Sequence, residues 1–290
     1  MIILNEKEYA EECLKNRIIN NKPFATLLIL AKYYYHCFGY KKKKITQLLT
    51  EYMDKYCPCY SDDRLRWDDT IEKIAANVKK FTLFEIDGIW ITKLELETIK
   101  NINNKVLERL AFTMLCIAKL NNIKNPQNNG WVNTSVKEIF DIAKIPCSIA
   151  NRYAKLNMLN QINLLEFPKK NDNLSSRVTF INNESEKVLF ISDFRELGYE
   201  YLKYMGDIHY TRCRECRRLF KINVHNKIYC PACHKQDDCD YKYITCIDCG
   251  KLFEVKNKNN TSSRCAKCQE KKNKEKRKIW YEKAKEKNNK

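Results

Sequence analysis

Eight of the chain's 15 cysteines fall in four Cys-x-x-Cys pairs between residues 213 and 268. They make two sets of four: Cys213, Cys216, Cys230 and Cys233, then Cys246, Cys249, Cys265 and Cys268. Two residues between thiolates let one tight turn aim both sulfurs at a single ion, and Zn²⁺ prefers four such ligands in a tetrahedron. The sets are also an internal repeat. Tyr210-x2-Cys213-x2-Cys216-x2-Leu219-Phe220 recurs 33 positions later as Tyr243-x2-Cys246-x2-Cys249-x2-Leu252-Phe253. The sequence therefore predicts two structural Zn²⁺ sites. Each module is so short that the metal must supply most of its folding energy, about 10–16 kcal/mol for such sites. A redox dithiol or an iron–sulfur cluster is the competing use of these pairs. A thioredoxin-like pair follows a strand in a βαβ unit, which four repeated pairs do not fit. Cys230-Pro231-Ala232-Cys233-His234 also spells the haem-attachment string, but its cysteines are already required by the first zinc set. The remaining seven cysteines are scattered, as small core residues of a reducing compartment are.

Charge points to a partner. The chain holds 54 Lys and Arg against 36 Asp and Glu, a net +18. A surplus of that size favours polyanions, nucleic acid first and anionic membrane second. Residues 269–290 alone carry 10 basic and 4 acidic side chains, with Trp280 and Tyr281 among them. Lysines laid along a backbone release condensed counterions, and aromatic rings can stack on bases. Lys274, Arg277, Lys278 and Trp280 are therefore candidate nucleic-acid contacts, against the plainer reading of a solvated lysine-rich tail. Lys41–Lys44, beside Tyr33-Tyr34-Tyr35, reads as a solvated turn after a helix, with a second backbone contact as the alternative, and Cys57-Pro58-Cys59, with no partner pair, as structural.

Several classes are excluded or disfavoured. The longest apolar run near the amino end is Leu27–Ala31, far short of the roughly 20 residues a membrane span needs. Met1–Glu6 has no basic stretch before its short apolar patch, so no secretory signal is expected and the chain reads as cytoplasmic. There is no Gly-rich phosphate loop, no His-Glu-x-x-His and no Gly-x-Ser-x-Gly. Asp62-Asp63 and Asp68-Asp69 could hold Mg²⁺ as nuclease carboxylates, but Arg64 and Arg66 intervene. A non-enzymatic protein is expected.

The elements that must position these residues are mostly helical. Phe24–Tyr35 is a helix candidate, and Trp67–Ile74 begins another with Ile71, Ile74 and Val78 at helical spacing. Leu83–Thr92 alternates around Asp87-Gly88, the strongest short-range hairpin signal. Thr92-Lys93-Leu94-Glu95 has capping-box form, so a helix should follow. Another, over about 103–120, carries Val106, Leu107, Leu110, Met114, Ile117 and Ala118 on one side. Ser135-Val136-Lys137-Glu138 opens a helix that Ile145-Pro146 stops, and Ser148 caps the next. That next helix shows Ile149, Tyr153, Leu156 and Leu159 as its apolar face, with Asn151, Arg152 and Lys155 expected opposite. Leu164–Phe167 and Arg177–Ile181 read as two strands joined by a polar loop.

Helix, short turn, helix, hairpin over residues 131–192 resembles a winged helix-turn-helix. The cysteine modules are similar to zinc-ribbon and treble-clef fingers. Cys246–Phe253 matches the usual knuckle, with Gly250 free to take a positive φ, whereas Arg217 stands at the matching place of the first module, so its turn is expected to differ. The whole layout resembles winged-helix plus zinc-finger proteins of phages and mobile elements in low-GC Gram-positive bacteria. That resemblance implies a zinc-containing duplex-DNA binder acting in replication or transcription control. It implies contacts from Asn151, Arg152 and Lys155 on the recognition helix, and from Lys169, Lys170 and Arg177 at the wing. An adaptor whose fingers bind another protein, or an RNA or single-strand binder, is the alternative. The expected chain is α+β. It comprises a helical N-terminal domain with a β-hairpin (1–102), a winged helix-turn-helix (103–192) and a connecting helix (193–206). Two four-cysteine zinc fingers (207–240 and 241–270) and a basic helical tail (271–290) complete it.

Overall fold

In a computed structural model, which describes residues 2–19, 23–168, 175–222, 228–233, 241–256 and 263–288, the apolar stripes of the first eighty residues become four packed helices. These are α1 (Glu6–Asn16), α2 (Pro23–Phe38), α3 (Lys42–Tyr56) and α4 (Arg64–Asn77). Leu27, Leu30, Ile45, Leu49, Met53, Ile71 and Ile74 form one buried cluster between them. The Lys41–Lys44 run is exposed where α3 begins, and Cys57 is buried in this cluster. Among the acidic pairs, Asp63 meets Arg66, Asp68 meets Arg64, and Asp69 meets Lys73.

A second cluster is built around α6 (Lys105–Lys124). Asn104 caps α6 by accepting from the N–H groups of Val106 and Leu107 at 3.1 and 3.2 Å. Its middle is buried on every side, from Leu107 to Leu120, so it is the central strut and not a one-faced helix. Around it pack β1 (Ile89–Thr92), α5 (Lys93–Lys100), β2 (Trp131–Val132), α7 (Val136–Ile142), α8 (Ile149–Gln161), β3 (Leu165–Glu166), β4 (Ser176–Val178), β5 (Lys187–Ile191) and α9 (Leu197–Tyr204). Ser135 and Ser148 cap α7 and α8 as their sequences predict. β2, β4 and β3 form one antiparallel sheet in the order β2–β4–β3.

Two expectations are corrected. The Asp87-Gly88 hairpin does not form. β1 instead pairs with β5, almost a hundred residues away, with Trp90 opposite Phe190 and Ile89 opposite Ile191. A Cβ on Gly88 would lie 2.4 Å from the Ile191 carbonyl oxygen, so this glycine permits close approach of β5 and not a turn. The stretch after Ser192 is not one connecting helix. Asp193 accepts from the backbone and guanidinium of Arg195 at 2.9 Å, Phe194 enters the core, and helix begins only at Leu197. α9 itself is core: Tyr201 is fully buried and donates to Glu108 at 3.0 Å.

The chain divides into two compact units, Met1–Tyr210 and Thr211–Lys290. Both clusters belong to the first. The second unit carries the strand pairs β6–β7 (Tyr210–Arg212, Leu219–Lys221) and β8–β9 (Tyr241–Thr245, Leu252–Lys256), then α10 (Ala266–Asn288). β6 straddles the division. Among the described residues, no helix is long and apolar enough to cross a membrane.

Candidate metal centres and basic surfaces

Each strand pair of the second unit is a hairpin whose tip is a Cys-x-x-Cys knuckle. Leu219 and Leu252, each the third residue after a Cys-x-x-Cys pair, start the returning strands. In the first knuckle, Cys213 N–H donates to the Arg218 carbonyl at 2.9 Å and Arg217 N–H to the Cys213 carbonyl at 3.0 Å. In the second, Cys246 N–H donates to Lys251 and Gly250 N–H to Cys246, both at 2.9 Å. The cross-loop bonds match as well: Arg214 N–H meets the Ile228 carbonyl at 2.9 Å, and Ile247 N–H meets that of Ser263 at 3.0 Å. The two turns are the same. Arg217 takes φ 58° where Gly250 takes 66°, which corrects the expectation that the first turn differs. The left-handed conformation costs a side-chain-bearing residue about 1–2 kcal/mol, and the first module adopts it together with the same set of knuckle hydrogen bonds as the second.

The second pair of each set closes a four-sulfur group. Cys213, Cys216, Cys230 and Cys233 offer sulfurs all within 4.8 Å of one another, as do Cys246, Cys249, Cys265 and Cys268. Cys216 and Cys230 sulfurs are 3.7 Å apart, and those of Cys249 and Cys265 are 3.8 Å apart. A tetrahedron with metal–sulfur bonds of about 2.3 Å has edges of about 3.8 Å. The groups are therefore already spaced for a dication, and each could hold one. Cys265 precedes α10 and Cys268 lies in its first turn, so the second centre sits at the start of that helix.

The thiols support the same fit. Burial raises Cys213, but N–H groups of Cys230, Cys216 and Glu215 outweigh it and bring the thiol down to about 6. In the second group the N–H of Cys265, then those of Asp248 and Cys249, bring Cys246 down to about 6. Cys233 is pushed up to about 12, first by its hydrogen bond with Cys216, and Cys268 to about 12 by those with Cys265 and Cys249. Four sulfurs this close cannot all ionise unaided. A central dication removes that conflict.

The expected nucleic-acid contacts are scattered. Asn151 is exposed on α8, but Arg152 and Lys155 are only half-exposed. Arg152 stands four residues before Leu156 and seven before Leu159, so helical periodicity turns it toward the buried side and not opposite it. Ile149 and Tyr153, expected inward, are exposed. The outward face of α8 is instead Ala150, Asn151, Tyr153, Ala154, Asn157, Met158 and Gln161. Arg177 is engaged internally, donating to Asn129 at 3.0 and 3.2 Å and to Glu166 at 3.0 Å. Lys169 and Lys170 lie outside the described residues. On α10, Lys274 pairs with Glu270 at 3.1 Å, while Arg277, Lys278 and Trp280 are exposed.

One contact escaped the sequence reading. Arg264 donates to Asp248 at 2.7 Å, clasping the second knuckle to the segment that carries Cys265. Opposite charges beside ligands of different pairs were its visible signal. No family model, curated protein or solved structure matches this chain.

Proposed function

We propose that this chain is a non-enzymatic, zinc-containing protein that binds duplex DNA, with α6–β4 acting as a winged helix and the four-cysteine modules as structural zinc fingers. The observation that carries the reading is the sheet order β2–β4–β3 around α6, α7 and α8. Helix, strand, helix, helix, strand, strand, with the first strand paired to the last, is the arrangement that closes a helix-turn-helix with a wing. In this reading α8 enters the major groove. Asn151, Asn157 and Gln161 on its outward face are amides of the kind that pair with adenine edges. The basic α10 supplies phosphate contacts that do not depend on sequence. Replication or transcription control in a phage or plasmid setting is the biological extension, and it rests on the resemblance alone.

The test is a binding selection from random duplexes with the zinc-loaded, full-length protein. An enriched motif, weakened by Asn151→Ala, is the expected result. Retention without enrichment would make the protein a backbone clamp, and no retention would favour an adaptor whose fingers bind another protein. Trp280 is 66% exposed on the basic helix, which favours single strands as a secondary ligand. Trp280→Ala should then weaken single-strand binding and leave duplex binding nearly unchanged.

A further inference from the structure

The turn between α7 and α8 holds a pocket of about 250 Å³ that the groove-reading face does not use. Asp141, Lys144, Ile145, Pro146, Arg152 and Tyr199 line it. Arg152 Nε is sealed from solvent and has no hydrogen-bond partner among the described residues. Asp141 of the lining pairs with Lys137 at 2.9 Å, and Lys144 of the lining pairs with Glu196 at 2.6 Å. A half-buried guanidinium with no acceptor is unusual, because polar groups removed from water are normally paired. Lys144, in its pair with Glu196, also lies over the Tyr199 ring, 5.9 Å from its centroid.

We infer that this pocket is a seat for one phosphate oxyanion of a bound duplex, held by the Arg152 guanidinium with Lys144 beside it. The inference rests on the duplex-binding reading above. It follows from widths: a helix about 10–12 Å across fills a groove about 12 Å wide, so the strand backbones run along its flanks. Arg152 is on a flank of α8, under the outward face and beside the α7–α8 turn. A phosphodiester in the pocket accepts a charge-assisted hydrogen bond from the part of the guanidinium that lines it. Asp141 is the one carboxylate in the lining and opposes the anion, so it sets a limit on affinity.

The experiment is a salt titration of full-length, zinc-loaded protein on a random-sequence duplex, repeated with Arg152→Gln, Arg152→Lys and Asp141→Asn. Arg152→Gln should lower affinity about tenfold and flatten the slope of log affinity against log salt by about 0.9, one phosphate contact. Arg152→Lys should keep the slope, and Asp141→Asn should tighten binding. The melting temperature of Arg152→Gln should stay level or rise, since an unpaired half-buried charge is removed. An unchanged slope in Arg152→Gln, with wild-type binding intact, overturns the phosphate seat and leaves the duplex reading standing. A fall in melting temperature with no change in slope makes Arg152 structural and also overturns it. Equal weakening toward polyglutamate assigns the pocket to acidic protein segments instead. Failure of the wild-type protein to bind any duplex removes the reading and this inference together.

Discussion

The two four-cysteine modules repeat one ligand geometry on two different supports. In the first, Cys213 and Cys230 are buried against Phe220, with Tyr229 packed at the edge. In the second, Cys249 is exposed, an ion pair between Arg264 and Asp248 joins the two ligand segments, and the last ligand pair opens a long helix. The hydrogen bonds around the first cysteine of each set nevertheless agree position by position, even where one module offers Arg217 and the other Gly250. The cysteine spacing thus goes with one hydrogen-bonded turn, while the packing around it differs. The first unit is built the other way, from two clusters of apolar side chains, with a buried ion pair, Lys119 with Glu95 at 2.8 Å, in the second.

Removing one cysteine of a four-sulfur group should have the largest effect. Cys213→Ser should release one zinc and unfold the first module, and Cys246→Ser should do the same to the second, each losing much of the roughly 10–16 kcal/mol a structural site supplies. The two should differ in circular dichroism. α10 has exposed side chains along most of its described length and begins at the second centre. A helix without tertiary packing is marginal in water, so Cys246→Ser should lose helical signal that Cys213→Ser keeps. Equal loss in both variants would mean that α10 does not depend on its centre.

A smaller effect sharpens the contrast between the turns. Arg217→Gly should stabilise the first module by about 1 kcal/mol, by relieving the left-handed backbone. Competition with a chelator reads this as slower zinc loss. No gain would mean that the Arg217 side chain repays its strain with contacts of its own. Smallest of all, Arg264→Ala should weaken the second module by about 0.5 kcal/mol, an effect that fades as salt is raised, since the pair is partly exposed. The first module should not respond.

What was legible in the chain follows the same division. Ligand spacing and cap residues act over a few positions, so the four-sulfur groups and the starts of α7 and α8 could be read directly. The pairing of β1 with β5 could not, because Asp87-Gly88 gives a strong local signal and its true partner, Ile191, is distant. Arg152 was misplaced for another reason. Apolar Ile149 and Tyr153 suggested one face, but only Leu156 and Leu159 are buried, and their stripe runs through Arg152. At Arg217 single-residue propensity disfavours the left-handed turn, but the hydrogen-bonded knuckle it shares with Gly250 takes that conformation all the same.

Native mass spectrometry of the full chain, purified without added metal, counts the ions that the two four-sulfur groups hold. Two zinc ions per chain are expected, one lost in Cys213→Ser and the other in Cys246→Ser. One zinc or none in the intact protein, or iron with sulfide in their place, would contradict two structural zinc centres.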